Sequence, residues 1–313
     1  MSTSVFALLA TLLYTQTLSQ RPCYRPEQLT VVSWNVDSLH TDPHLAALQI
    51  SQMDGVDLWG LCGVRSERWP RLFEQAAEEG EERQFVAVPS PTPGTDSSLI
   101  LYDAAALSLL RYFEAGWRDE RWYRPGMVLR PALIAQFRHS GTGQEFLFIL
   151  NCLHPKWSAW QAMTITEWAA RQGLPVVAAG THQFQYDLGD SSLEHFGRVG
   201  SAVMLTSGVF RRLRPEEVVR THGNRYNTVE DFIFLADPAG RIRGRAEIPH
   251  AVGDFAVEEA TLAHHPVKAV LTFVPARGGS ANAARVLRKI RRIQVELDKL
   301  EESVRQLPEL TSR

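Results

Sequence analysis

A β-hairpin near the middle of the chain is the sequence feature that most restricts the fold. Two apolar segments, 131–138 (PALIAQFR) and 145–152 (EFLFILNC), flank the turn sequence SGTG. Other segments alternate between strand-like and helix-like patterns, but a hairpin requires antiparallel neighbours. A purely parallel, doubly wound sheet therefore does not explain this sequence. We predict two packed sheets with helices outside them.

Hydrophobic patterning predicts the remaining elements of this body. Short apolar or β-branched runs between turn residues predict strands, and apolar residues at helical spacing predict helices. The predicted strands are 29–34, 57–64, 84–88, 97–103, 174–179, 228–235 and 266–274. The predicted helices are 43–53, 68–79 and 159–172. Asp42 and Pro43 supply an N-cap and a first-turn signal for the first of them.

The composition limits the class of protein. Of the 313 residues, 44% are hydrophobic, which is enough for one large domain with a substantial core. The net charge is −2, so a nuclease would have to concentrate its basic residues locally, and nucleic acid is not the expected partner. Cys23, Cys62 and Cys152 form neither a disulfide framework nor a CxxC pair, which argues against structural zinc.

The N-terminal segment allows two interpretations. The apolar run from Val5 to Tyr14 has ten residues, far too few for a transmembrane span. Thr17 and Ser19 fit a signal-peptide cleavage site, but no Lys or Arg precedes the run, as a signal peptide normally requires. The segment is either a cleaved signal or an amphipathic docking helix. The two interpretations leave open whether the protein is cytoplasmic or exported.

The C-terminal segment has a different hydrophobic period. Apolar residues are spaced alternately by four and three, which predicts a coiled-coil seam. The seam consists of Val286, Ile290, Ile293, Leu297, Leu300, Val304 and Leu307. Basic residues precede acidic residues along this segment, so an antiparallel partner of like sequence would pair opposite charges. We expect assembly with a second copy or with a partner protein. The alternative is a single helix that lies on the domain's own surface.

These patterns divide the chain into four parts. They are an N-terminal apolar segment, a main domain, a linker and a coiled-coil helix. Their predicted bounds are 1–28, 29–275, 276–282 and 283–307.

Six segments of the main domain resemble, in order, the endonuclease/exonuclease/phosphatase superfamily, whose fold is that of DNase I. They are LTVVSWNVDSL, DLWGLCGV, RPALIAQF with FLFILNCL, GLPVVAAGTHQF, NTVEDFIF and TLAHHPVKAVL. The family has at these places a strand ending in Asn, Leu-Gln-Glu-Val, an Arg-Pro strand with an Asn-His-Leu end, Gly-Asp-x-Asn, Leu-Asp-Tyr-Ile and Ser-Asp-His-x-Pro-Val. The resemblance implies an α+β fold, a four-layer α/β/β/α sandwich of two mixed β-sheets. It also implies an active site at one edge of the two sheets.

Part of the family's catalytic set is retained. Phosphodiester hydrolysis needs a divalent cation, usually Mg²⁺ on carboxylates and waters, and a base to activate water. The resemblance implies that Asn35 stands at the metal-site Asn and that Asp37 matches an acidic metal position of one branch. It implies further that Asp231 supports the catalytic His264. An Asn at a strand end also satisfies loop backbone groups, so Asn35 has a purely structural alternative.

The rest of the set is replaced. The five replaced positions are Gly63, Cys152, Thr181, Gln183 and Ala263. Family carboxylates are expected at Gly63, Thr181 and Ala263, a His at Cys152 and an Asn at Gln183. Mg²⁺ would keep only Asn35 and Asp37, which is a thin ligand set for an ion that dehydrates reluctantly.

Two functions follow as hypotheses. The first is a pseudoenzyme without a cofactor, a nuclease-type fold that serves as a scaffold or as a binding and assembly subunit. The second is a diverged Mg²⁺-dependent phosphoesterase, either a nuclease or a phosphatase, with substitute metal ligands. The acidic candidates for that role are Asp37, Glu67, Asp187 and Asp190.

Overall fold

A computed structural model describes most of the main domain. The described residues are 25–37, 41–65, 67–92, 97–116, 130–154, 156–187, 199–215, 217, 221, 228–249 and 264–274. The predictions for the N-terminal segment, Asp190, Ala263 and the heptad seam 286–307 lie outside them. Within the described part of the chain, no helix is long and apolar enough to cross a membrane.

Strands and helices alternate along the described chain. In chain order the strands are β1 (Gln28–Asn35), β2 (Leu58–Val64), β3 (Phe85–Pro89), β4 (Ser97–Asp103), β5 (Leu107–Ala115), β6 (Ala132–His139), β7 (Glu145–Cys152), β8 (Val176–Asp187), β9 (Arg211–Arg212), β10 (Thr228–Ala236), β11 (Ile242–Glu247) and β12 (Val267–Phe273). The helices are α1 (Pro43–Gln52), α2 (Trp69–Glu81), α3 (Ser158–Ala170) and α4 (Val199–Thr206).

The strands form two mixed sheets of six strands each. The first sheet has the order β11-β12-β1-β2-β4-β3, and the second has the order β5-β6-β7-β8-β10-β9. In each sheet one central pair is parallel, β1 with β2 and β7 with β8, while the other neighbours are antiparallel. The carboxyl ends of the two strands in each parallel pair therefore lie at the same edge of their sheet.

Three apolar layers hold the sandwich together. Side chains from both sheets, among them Leu58 and Phe148, fill the core between them. Trp34, on the other face of the first sheet, packs with α1 and α2, and Ile165 of α3 packs against the outer face of the second. The order helix, sheet, sheet, helix confirms the predicted four-layer α/β/β/α sandwich of two mixed sheets.

Local sequence explains the best-defined elements. The Asp42 side chain accepts a hydrogen bond from the His44 backbone N–H at 2.9 Å and caps α1, with Pro43 in its first turn. The predicted hairpin is confirmed as β6 and β7, and Gly143 in its turn has φ 68°, which favours glycine.

Some elements differ from the sequence prediction. The chain also forms β5, β9, β11 and α4, which the hydrophobic pattern did not predict. β8 continues well beyond residue 179, because its later residues still pair with β10, Tyr186 opposite Val229. The register shifts between that pair and the pair of Thr181 with Asp231, so β8 is irregular at this point.

Candidate functional site

The register of the two sheets brings several strand ends together. Asn35, the last residue of β1, is paired with Cys62 of β2. In the second sheet, Cys152 at the end of β7 is paired with Thr181 of β8, and Thr181 is paired with Asp231 of β10. The edge at which the resemblance puts an active site therefore carries both retained and replaced positions.

A buried Asp–His pair forms the centre of this edge. His264 Nδ1 lies 2.9 Å from Asp231 Oδ2, and Thr181 Oγ1 donates to Asp231 Oδ1 at 2.7 Å. Trp34 Nε1 donates to the His264 carbonyl oxygen at 2.9 Å and fixes the backbone there. Asp231 and His264 are 1% and 4% exposed, so water competes little for these hydrogen bonds.

Opposing effects set the protonation of His264. Burial lowers the pKa of its imidazole, but the charge and the hydrogen bond of Asp231 outweigh burial, and the pKa lies above its ordinary value. Asp37 adds a smaller effect in the same direction. His264 therefore gains a proton more readily than an exposed histidine does.

The Asn35 amide is engaged on both sides. Its Oδ1 accepts the Asp37 backbone N–H at 3.0 Å, and its Nδ2 lies 3.3 Å from His264 Nε2. Because Nδ2 only donates, this contact suits a neutral imidazole whose proton is on Nδ1. This 3.3 Å contact is longer than the 2.9 Å contact between His264 Nδ1 and the charged Asp231 carboxylate. Asp231 therefore influences the protonation of His264 more strongly than Asn35 does.

The conformation and the neighbours of Gly63 oppose a side chain at this position. Its φ is +75°, a conformation that residues with a Cβ rarely adopt. A Cβ built at this position would lie 2.7 Å from Asn35 Oδ1 and 3.0 Å from the Asp37 backbone nitrogen. The backbone thus suits glycine, and a carboxylate residue, which the resemblance predicts here, would require Asn35 or the Asp37 backbone to shift.

Two cysteines lie beside this centre. The Cys62 thiol donates to the Asn151 carbonyl oxygen at 3.2 Å and is hydrogen bonded to Cys152. That hydrogen bond and burial raise the pKa of the Cys62 thiol well above its ordinary value. Arg130 Nη1 lies 2.7 Å from Cys152 Sγ. Sequence reasoning did not select Arg130, although the Arg-Pro strand motif contained it.

The segment that replaces Gly-Asp-x-Asn contributes only Thr181 to the centre. His182 points to the opposite face of the sheet, where its ring packs among Phe184, Phe232 and Phe234. Its Nδ1 lies 2.8 Å from the Gly180 carbonyl oxygen, and burial lowers its pKa to about 4. Gln183 has φ 55°, in the left-handed region, and is half-buried.

The described donors do not fit a Mg²⁺ site. Asn35 Oδ1 is engaged by a backbone N–H, Gly63 has no side chain, and Glu67 is exposed. Among the described residues, no group of three His, Cys, Asp or Glu side chains could hold a metal ion. The side chain of Asp187, like Asp190 and Ala263, is outside the described part of the chain.

Comparison with known proteins identifies the fold by structure alone. No family model and no curated protein matches the sequence significantly. An endonuclease/exonuclease/phosphatase family protein of Bacteroides thetaiotaomicron is similar with a TM-score of 0.60 and 17% identity, over 80% of this chain and 100% of that one.

Two further structures have stated activities or ligands. A mannosyl-6-phosphatase of Bacteroides thetaiotaomicron has a TM-score of 0.56 and 17% identity, over 78% of this chain and 100% of that one. D. rerio TDP2 in complex with a single-strand DNA product also has a TM-score of 0.56, with 16% identity over 78% of this chain and 99% of that one. The two six-stranded sheets and these likenesses give the chain the DNase I-like fold of the endonuclease/exonuclease/phosphatase proteins.

Proposed function

We propose that this chain is a pseudoenzyme, a phosphoesterase fold that serves as a scaffold or as a binding and assembly subunit. The observation that carries the proposal is the closed position at Gly63. A missing side chain could be compensated by a neighbouring carboxylate, but here the retained Asn35 and the Asp37 backbone fill the space itself. At Gly63 the site therefore lacks the carboxylate, and the surrounding atoms oppose its return.

The hydrogen bonding of the retained groups supports the same proposal. Thr181 donates to Asp231, Asp231 binds His264, and His264 contacts Asn35. Catalytic groups act by binding the transition state more strongly than the ground state, which requires donors and charges aimed at the substrate. An Asp–His contact occurs in catalytic sites too, but here Thr181 stands in place of a carboxylate and donates to Asp231, and Asn35 Oδ1 accepts a backbone N–H. Both side chains are thus used within a buried polar network.

A phosphodiesterase assay tests the loss of activity. The full chain is incubated with an activated phosphodiester and Mg²⁺ or Mn²⁺, beside the His264→Ala variant. We expect the same background rate for both proteins, with or without metal. Metal-dependent turnover that disappears in His264→Ala would overturn the proposal, since groups that act as a unit in catalysis fail together.

The second part of the proposal is assembly through the heptad segment 283–307. Its support is the apolar seam and the opposite charges of its two halves. Deletion of residues 276–313 is expected to convert an oligomer to a monomer, measured by light scattering after size-exclusion chromatography. Ile293→Glu should weaken assembly and Gln294→Glu, beside the seam, should not. An unchanged mass after the deletion would contradict this part.

A diverged Mg²⁺-dependent phosphoesterase is the second candidate function. Asp37 favours it, because this carboxyl follows Asn35 by two residues and is close enough to raise the pKa of His264. Such an enzyme needs further oxygen ligands, and Asp187 and Asp190 are the candidates that remain. Metal-dependent turnover that is lost in Asp187→Asn or Asp190→Asn, as well as in His264→Ala, is the result this alternative predicts.

A further inference from the structure

Cys62 and Cys152 approach each other from different sheets. Cys62 belongs to β2 and Cys152 ends β7, and both side chains point into the core between the sheets. The sheets are close here, since the Cys62 sulfur lies 3.2 Å from the Asn151 carbonyl oxygen in β7. A Cβ at Gly60, two residues earlier, would lie 2.9 Å from Leu150 Cδ1. Cys62 and Cys152 are therefore neighbours across the core between the two sheets, and the Cys62 thiol interacts with Cys152.

The surroundings make the two sulfurs chemically unequal. The Arg130 guanidinium, which stays charged at all ordinary pH, donates to Cys152 Sγ at 2.7 Å and stabilises a thiolate there. Cys62 has no exposed surface and hydrogen bonds to Cys152, so its thiol keeps its proton longer. Cys152 is 6% exposed, which leaves this sulfur the more accessible of the two. A small oxidant would thus react first at Cys152.

We propose that Cys62 and Cys152 form an oxidisable dithiol that a peroxide converts to a disulfide between the two sheets. The Cys152 thiolate attacks one peroxide oxygen, the O–O bond breaks, and Cys152 becomes a sulfenic acid while the other oxygen leaves as water after protonation. The Cys62 sulfur then attacks Cys152 Sγ. The S–S bond forms, the S–O bond breaks, and the sulfenic oxygen leaves with the Cys62 proton as a second water. Two thiols lose two electrons in total, and one peroxide accepts them.

The disulfide would join the sheets at the edge that carries Asp231 and His264. It would close a long loop of chain between β2 and β7, and long loops give large stabilisation in the chain-entropy view. Oxidation would then raise the melting temperature, by an amount on the order of 10 °C. The disulfide would also replace the negatively charged Cys152 thiolate beside Arg130 with a neutral sulfur.

Peptide mapping tests the proposal. The full chain with Cys23→Ser is reduced, freed of reductant, treated with hydrogen peroxide and digested without reduction. We expect a linked peptide that contains Cys62 and Cys152, and a protein that has lost the mass of two hydrogen atoms. In Cys62→Ser the sulfenic acid at Cys152 has no partner and should be trapped by dimedone. Two unlinked thiols in the treated protein, or oxygen adducts on wild-type Cys152 without a link, would overturn the proposal.

A second comparison tests the role of Arg130. Arg130→Gln should slow the oxidation of Cys152 by about tenfold, because the thiolate loses its cation. Arg130→Lys should restore most of the rate. Arg138→Gln, which removes an exposed arginine of the same sheet, is the matched control and should oxidise like the parent protein. Equal rates in Arg130→Gln and in this control would contradict an activated Cys152.

Discussion

Gly63 differs from the other replaced positions, because both its backbone conformation and its close neighbours oppose a side chain. Thr181 and Cys152 keep side chains of ordinary size that form hydrogen bonds at the site. At Gly63, a left-handed φ and the close approach of Asn35 together oppose even a methyl group. Return of a carboxylate here would require Asn35 or the Asp37 backbone to move.

Gly63→Glu therefore should destabilise the fold and restore no activity. The strained backbone alone costs about 1–3 kcal/mol, and the overlap with Asn35 adds to it. Denaturant unfolding measures the loss of stability. Gly143→Ala is the control, because Gly143 has a similar φ of +68° and a Cβ added there would have no atom within 4 Å. A Gly63→Glu protein as stable as Gly143→Ala would show that the position is open.

His182 should make the fold sensitive to mild acid. Its folded pKa of about 4 lies below the unfolded value near 6.5, so the unfolded chain binds the proton more readily. The stability is fully present above pH 6.5 and is lost as the pH falls toward 4. The difference between the two pKa values corresponds to roughly 3 kcal/mol.

His182→Leu removes this proton-binding group from the Phe184, Phe232 and Phe234 cluster. We expect the free energy of unfolding of the variant to vary less between pH 6.5 and 4 than that of the wild type, as measured in urea. His44→Leu, outside the core, is the control and should keep the wild-type slope. Identical slopes for wild type and His182→Leu would rule out this source of acid sensitivity.

At single residues, the sequence identified types of side chain but not backbone conformations. Asn35, Asp231 and His264 were selected because the family resemblance assigns them to its motifs, and the structure places them in contact. The φ of Gly63 and the contact of Arg130 with Cys152 depend on how loops pack, which no local pattern records. The side chain of His182 points to the face opposite that of Thr181, and only the alternation of side chains along a strand indicates this.

Ion pairs connect the first sheet to its outer helix. Arg83 lies just after α2 and donates to Asp57 before β2 at 2.9 Å, to Glu81 in α2 at 2.8 Å and to Asp103 at the end of β4 at 2.5 Å. Asp103 is 1% exposed and Asp57 is largely buried. One guanidinium thus pairs with carboxylates of α2, of β4 and of the segment before β2.

Arg83→Met should destabilise the protein by roughly 2–4 kcal/mol, because it leaves buried carboxylates without their cation. The loss should shrink in acid, where the carboxylates gain protons. Arg138→Met is the control, since Arg138 forms an exposed pair with Glu145 in the hairpin. An Arg83→Met protein that unfolds at the same denaturant concentration as Arg138→Met would contradict this role.

Strands that are buried on both faces were predicted well, whereas two strands at sheet edges and one short helix were not predicted. β2 is buried throughout and β4 at six of its seven residues, and both were predicted nearly to the residue. β5 and β11 lie at sheet edges, and charged residues interrupt their apolar pattern, as in IRGRAE of β11. α4 has only eight residues, with glycine and β-branched residues that favour helix weakly.

For the whole molecule, the order of the strand-end motifs was more informative than any single motif. The hairpin excluded a purely parallel sheet, and six ordered segments predicted the sandwich that the structure confirms. The function does not follow from that fold, because one fold carries many chemistries. In our proposal it depends on one edge of the sandwich and on the C-terminal segment, which lies outside the described residues.

A Mn²⁺ titration of the full chain is the most direct test for a metal site at the strand ends. Free Mn²⁺ is measured by its electron paramagnetic resonance signal during a titration, for the wild type and for Asn35→Ala. We expect the two titrations to coincide, because a pseudoenzyme of this kind binds no metal ion at the strand ends. A saturable site with one Mn²⁺ per chain in the wild type, absent in Asn35→Ala, would contradict it.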